Sequence, residues 1–168
     1  MQYSLQQADI LIDLVEQTLL LPKHNKFYVI SSGKNGIGEQ ENSGKTPRGW
    51  HEVALKFGES APLNAVFIAR KETGEVYDQE LATEFPERDW ILSRVLWLSG
   101  LEPKFNQGEG CDTFNRHIYI HGTPDSEPMG IPMSHGCIRM RNQDVVELFE
   151  LIPENALVYI SEQRLNLS

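Results

Sequence analysis

The nineteen residues from His121 to Arg139, HGTPDSEPMGIPMSHGCIR, constrain this chain more than any other stretch. They hold one of the two cysteines and two of the five histidines. Cys137 sits in Ser134-His135-Gly136-Cys137, followed by Ile138 and Arg139. His121 lies sixteen residues upstream, closing the apolar run His117-Ile118-Tyr119-Ile120 just before a glycine. A strand ending in His-Gly, a Pro-rich loop and a Gly-Cys turn can set an imidazole beside a thiol. Such a pair makes a nucleophile: the imidazole takes the thiol proton and the thiolate attacks a carbonyl.

His121-Gly122-Thr123, then Gly130, then Ser134-His135-Gly136-Cys137-Ile138-Arg139-Met140, resembles the signature of the L,D-transpeptidase catalytic domain, the YkuD-like family. Ser32-Gly33 followed by Lys45-Thr46-Pro47-Arg48-Gly49 resembles a second block of the same family. The resemblance runs from about Asp9 to Ile160. It implies a β-rich α+β fold: a mixed β-sandwich or barrel with one clear helix after the catalytic cysteine. It also implies a cysteine acyltransferase without cofactor or metal, acting on peptidoglycan tetrapeptide stems and open to carbapenem β-lactams.

The remaining chain is read around that expectation. At 168 residues, residues 1–168 are expected to form one catalytic domain. A net charge of −9 argues against nucleic acid and gives no attraction to anionic membranes. No segment reaches the ~20 apolar residues that cross a bilayer. The N-terminal MQYSLQQADILIDLVEQTLLLP lacks a basic n-region and a small-residue cleavage site, so a cytoplasmic location is expected. Two cysteines are too few for a disulfide framework.

Residues 8–22 are ambiguous by period. Leu11, Leu14, Val15 and Leu19 fit a helical stripe, while Ile10, Ile12 and Leu14 alternate as in a strand. The family pattern favours two short strands turning near Glu16-Gln17. Residues 26–31 read as a strand, 32–49 as a surface loop, and 50–56 and 64–69 as strands, with a turn at Thr73-Gly74. Residues 89–100 fit a helix or a buried strand, and the family favours the strand. Arg94 within it is a salt-bridged side chain or part of a substrate pocket. Residues 116–120 read as a strand delivering His121. Asn142 is a candidate N-cap for a helix with Val145, Leu148, Phe149 and Ile152 on one face, stopped by Pro153. Residues 156–161 read as a closing strand.

Cys137 alone would more often be a small buried hydrophobe, but a turn flanked by cationic groups stabilises thiolates. By the resemblance His121 is the base and the Gly122 carbonyl its orienting partner. Ser134, His135 and Gly136 form the oxyanion loop, with His135 ordering that loop rather than acting as base. The Gly136 and Cys137 amides can face a developing oxyanion. Arg139 suits a bidentate grip on a substrate carboxylate, with Arg141 a weaker candidate. Cys111 and His117 read as structural. Zinc on Cys111, His117, His121, His135 and Cys137 is disfavoured, because none forms a close ligand pair.

What resolves the thioester decides between two activities. Water makes an L,D-carboxypeptidase of cytosolic muropeptide recycling, with D-amino-acid exchange as a variant, and this is the expected role. An amine makes an exported, wall-crosslinking L,D-transpeptidase. A non-catalytic peptidoglycan-binding domain is the alternative outside enzymology.

Overall fold

The computed structural model describes residues 3–165. A 3-10 turn at Leu5–Gln7 leads into a hairpin of β1 (Ile10–Asp13) and β2 (Thr18–Leu21). Ile10, Ile12, Leu19 and Leu21 are fully buried, so the alternating reading of this segment prevails over the helical one. The turn is closed locally: Asp13 Oδ1 accepts from the amides of Val15 and Glu16 at 2.9 and 2.8 Å. Gln17 then adopts a φ of 56° and donates through Nε2 to Ser32 Oγ, tying the hairpin to the loop after β3 (Lys26–Ser31).

Next come β4 (Gly49–Phe57), β5 (Ala65–Ile68), β6 (Lys71–Val76), the short helix α1 (Gln79–Glu84) and β7 (Ile91–Gly100). The chain ends with β8 (Tyr119–Gly122), β9 (Ile138–Met140), α2 (Asn142–Leu151) and β10 (Leu157–Ser161). The strand order is β4-β10-β1-β2-β3-β9-β8-β7-β5-β6, and β7 also pairs with β4. That last pairing closes the sheet from β4 round to β7 into a barrel, and leaves β6, paired only with β5, as an edge. The β1–β10 and β8–β9 pairs are parallel. One main core joins the inward residues of this sheet to Val145, Leu148 and Phe149 of α2 and to Ile152 just after it. Each such side chain contributes about 1.5–3 kcal/mol on full burial.

Three expectations are corrected, and one element is new. The β5–β6 turn falls at Ala69-Arg70, where Ala69 has a φ of 56°, and Thr73-Gly74 lies inside β6 at a register shift. A glycine there supplies a bulge, not a turn. The strand delivering His121 begins at Tyr119, because His117 has a φ of 57° and breaks extended structure. Asn142 is the first residue of α2, and the cap position belongs to Arg141, which makes no side-chain cap bond. The Asn142 side chain instead turns inward to Ser93 Oγ and the Thr123 carbonyl. Finally, α1 was not anticipated; Asp78 caps it by accepting from the Leu81 amide at 2.8 Å. Arg94 proves structural, its Nη1 donating to the Ala61 and Ser93 carbonyls.

Candidate active site

Two parallel strands position the candidate residues. In the β8–β9 register Ile120 faces Ile138 and His121 faces Arg139, which puts Cys137 beside Tyr119, two positions before His121. Side chains two apart on a strand share a face, ~6.6 Å apart along it. The Tyr119 amide donates to Cys137 Sγ at 3.3 Å, and the thiol donates to the His117 carbonyl at 3.4 Å. The sulfur therefore rests against the backbone leading into β8 and is not hydrogen-bonded to the imidazole.

His121 is 2% exposed and held by one bond, Nδ1 to the Gly122 carbonyl at 2.7 Å. A carbonyl only accepts, so Nδ1 carries the proton and Nε2 keeps its lone pair. The residue after it must be glycine. A Cβ at Gly122 would sit 2.4 Å from Asn142 Oδ1 and 2.5 Å from the Leu92 carbonyl. The β8–β9 pair thus places Cys137 at its start, beside Tyr119, and His121 and Gly122 two and three positions further along β8.

The long loop 32–49 folds over the turn before Cys137. Ser134 N donates to the Ser32 carbonyl, and Lys34 N to the Ser134 carbonyl, both at 2.8 Å. Thr46 Oγ1 accepts from Gly33 N and donates to the Gly136 carbonyl at 2.9 Å. Gly136 has a φ of 118°, which a side chain would resist. Its amide points to Ser134 Oγ at 3.1 Å, and that hydroxyl donates to the Cys137 carbonyl at 2.6 Å. Ser134 thus binds the turn internally. His135 projects outward, its side chain 78% exposed, with Nδ1 at 3.2 Å from Asp89 Oδ2. Arg139 is buried and its Nη2 lies 3.0 Å from Asp89 Oδ1.

Burial favours the neutral form of the pair, and the surrounding charges act in both directions. Burial pushes the Cys137 thiol up to about 11 and Asp89 adds to the rise, against the Tyr119 N–H, Arg139 and Arg116. Burial lowers the His121 imidazole, with the Gly122 bond and Asp89 opposing and Arg139 reinforcing. A protonated thiol beside a neutral imidazole is the resting state that follows.

A cleft of about 350 Å³ lies beside the turn that carries His135, lined by Asn42, Gly44, Arg116, His117, Ile118 and His135. A larger apolar hollow of about 520 Å³ between Leu5, Leu11, Leu20 and Phe27 shares no residue with the thiol site. The Cys111 sulfur rests against the Gln107 and Gly108 carbonyls. Among the described residues no three His, Cys, Asp or Glu side chains converge as a metal cluster. Asp89 and Arg116 were not singled out by sequence. Nothing local marks Asp89 among 24 acidic residues, although a guanidinium at position 139 needs a partner once buried.

The comparisons bear on family and fold. A family model described as the L,D-transpeptidase catalytic domain matches residues 7–160. The probable L,D-transpeptidase ErfK/SrfK of Salmonella typhimurium is 26% identical over 172 residues, 96% of this chain and 50% of that protein. The putative L,D-transpeptidase YkuD of Bacillus subtilis is 44% identical over 46 residues, 27% of this chain and 28% of that protein. The chain thus spans about a quarter to a half of the length of these relatives. L,D-transpeptidase 3 from Mycobacterium tuberculosis, solved with a faropenem-derived adduct, superposes with a TM-score of 0.53 at 14% identity, covering 91% of this chain and 59% of that one. The Ldtfm-avibactam carbamoyl enzyme gives a TM-score of 0.52 at 18% identity, covering 94% and 50%. At such identities the likeness shows a shared fold.

Proposed function

The chain belongs to the L,D-transpeptidase catalytic domain family, and from that premise we propose that Cys137 is the nucleophile of an acyl transfer on peptidoglycan tetrapeptide stems. The observation that carries this reading is the His121 ring: Nδ1 is committed to Gly122 and Nε2 is left to accept a proton. The sulfur turns from the His117 carbonyl toward the imidazole as substrate enters. His121 Nε2 takes the thiol proton while sulfur attacks the carbonyl of the third stem residue. The carbonyl π pair moves to oxygen, where the Cys137 amide, and the Gly136 amide on leaving Ser134 Oγ, stabilise it. One such donor is worth ~2.7–4 kcal/mol. Collapse breaks the C–N bond, His121 returns its proton to the amine of departing D-alanine, and a thioester remains on Cys137.

Because thiol and imidazole rest neutral, the proton moves during the attack, and no standing thiolate is exposed to alternative electrophiles. Water as acceptor completes an L,D-carboxypeptidase cycle: His121 deprotonates the water, the C–S bond breaks, and the thiol is restored. A D-amino acid in place of water gives exchange, and a second stem gives a crosslink. The names of the relatives favour that last outcome as the alternative reading. Incubating the protein with a tetrapeptide stem, with and without a D-amino acid, distinguishes them by product mass. Tripeptide plus D-alanine supports the hydrolase; dimeric stems as dominant product overturn it. A cytosolic setting for a recycling role is part of the same proposal, in keeping with two cysteines that remain free thiols. Fractionation of the native gene product tests it. Arg139, held by Asp89, serves the loop in this reading more than it grips substrate. Carbapenem-class β-lactams are proposed to acylate Cys137; the neighbour with a faropenem-derived adduct shows a related β-lactam on this fold.

A further inference from the structure

Asp89, just before β7, touches the site from a direction that neither motif announces. One carboxylate oxygen, Oδ2, meets His135 Nδ1 at 3.2 Å, and the other, Oδ1, meets Arg139 Nη2 at 3.0 Å. His135 stands two residues before the nucleophile on the exposed tip of its turn. Arg139 stands two after it on β9, its side chain 9% exposed. A single carboxylate therefore bridges the two flanks of Cys137. We propose that Asp89 is a positioning residue of the acyl-transfer site, fastening the nucleophile turn to β7 and neutralising the Arg139 guanidinium beside the Cys137–His121 pair.

The charge balance follows from the same contacts. An unpaired buried guanidinium would favour thiolate over thiol and disfavour a protonated imidazole. That arrangement would weaken His121 as a base at the moment the reaction requires one. With Asp89 in place the two charges oppose each other at both groups. The groups facing Cys137 are the Tyr119 amide and His117 carbonyl on its β8 side, Asp89, Arg139, and Arg116 from the β7–β8 loop. Those facing His121 are the Gly122 carbonyl, Asp89 and Arg139. Asp89 itself sees His121, His135 and Arg139, which together hold its carboxyl below the usual range despite burial.

The inference rests on the Cys137–His121 reading for its catalytic meaning, but its test does not need a substrate. In a Cys111→Ser background, where Cys137 is the sole thiol, the rate of iodoacetamide alkylation against pH reports the thiol's titration. Asp89→Asn removes an anion and should lower the alkylation midpoint by about one pH unit. Arg139→Gln removes a cation and should raise it, while Asp89→Glu should restore wild-type behaviour. Opposite shifts are the signature of a charge clamp. A merely structural role would loosen the turn, expose the sulfur, and lower the midpoint in both variants; that outcome, or no shift in either, overturns the proposal. If Asp89→Asn loses cooperative unfolding, the sign of the Arg139→Gln shift decides alone: upward supports the clamp, downward or none refutes it. Tetrapeptide turnover is followed in parallel. Opposite alkylation shifts with no turnover in the wild type would sink the acyl-transfer reading while leaving the clamp standing.

Discussion

His51 offers a quantitative test of the frame that carries the site. It lies on β4, fully buried, with Nδ1 at 3.0 Å from the Gly49 carbonyl and Nε2 at 2.9 Å from Thr113 Oγ1. The carbonyl can only accept, so Nδ1 bears the proton and Nε2 accepts from the threonine hydroxyl. Protonating Nε2 would charge a desolvated ring and force the threonine hydroxyl to turn from donor to acceptor. Burial accordingly brings its pKa from 6.5 down to about 4, with the Gly49 bond and Glu39 opposing and Arg116 assisting. A depressed folded-state value means that unfolded chains bind the extra proton first. The stability this group provides is complete above pH 6.5 and lost as pH falls toward 4. A gap of about 2.5 units at 1.36 kcal/mol each amounts to about 3 kcal/mol. Urea unfolding of wild type and His51→Gln from pH 7 to pH 4 isolates the effect as a difference. The wild type should lead at pH 7 through its two buried bonds, worth roughly 1–3 kcal/mol if left unsatisfied. That lead should shrink by about 3 kcal/mol at pH 4. Parallel stability curves across the whole window would refute the buried neutral imidazole.

Three further outcomes are expected at the site itself. Cys137→Ala should abolish turnover of a tetrapeptide stem with an unchanged thermal transition, whereas Cys111→Ala should retain most of the rate. His121→Ala should cost about as much as losing the thiol, because such pairs act as a unit, and His135→Ala should be milder; steady-state kinetics on both variants compares them. Gly122→Ala should lower stability by about 1–3 kcal/mol in chemical denaturation, since its Cβ would press on Asn142 Oδ1 at 2.4 Å and the Leu92 carbonyl at 2.5 Å.

What could be read beforehand depended on whether the signal was local. The nucleophile turn is local: Gly136 must accept a φ of 118°, and Gly122 must admit β7 and α2, so both glycines stand in the chain as visible letters. The apolar face of α2 was equally plain at i, i+3, i+4 and i+7. The β1–β2 hairpin is not decidable by period, because Leu14 serves the helix pattern of Leu11, Val15 and Leu19 as well as the strand pattern of Ile10 and Ile12. Only closure of the barrel, with β10 lying parallel to β1, selects the strand. Asn142 looked like a cap because capping is its commonest role at a helix start. Burial against Ser93 and the Thr123 carbonyl claimed its side chain instead. Asp89 is 48 residues from Cys137 in sequence and becomes part of the site through the β7–β8–β9 ladder alone. No spacing rule links a carboxylate to a cation two strands away.

The central claim is an acyl group carried on Cys137, and intact-protein mass spectrometry reads it directly. The protein is mixed with a tetrapeptide stem, quenched in acid within the first turnovers, and digested to locate any added mass. The account predicts a tripeptide acyl adduct on the peptide bearing Cys137, D-alanine released in step with it, and no adduct in Cys137→Ala. Release of D-alanine with no adduct on that peptide, or an adduct that persists in Cys137→Ala, would contradict it.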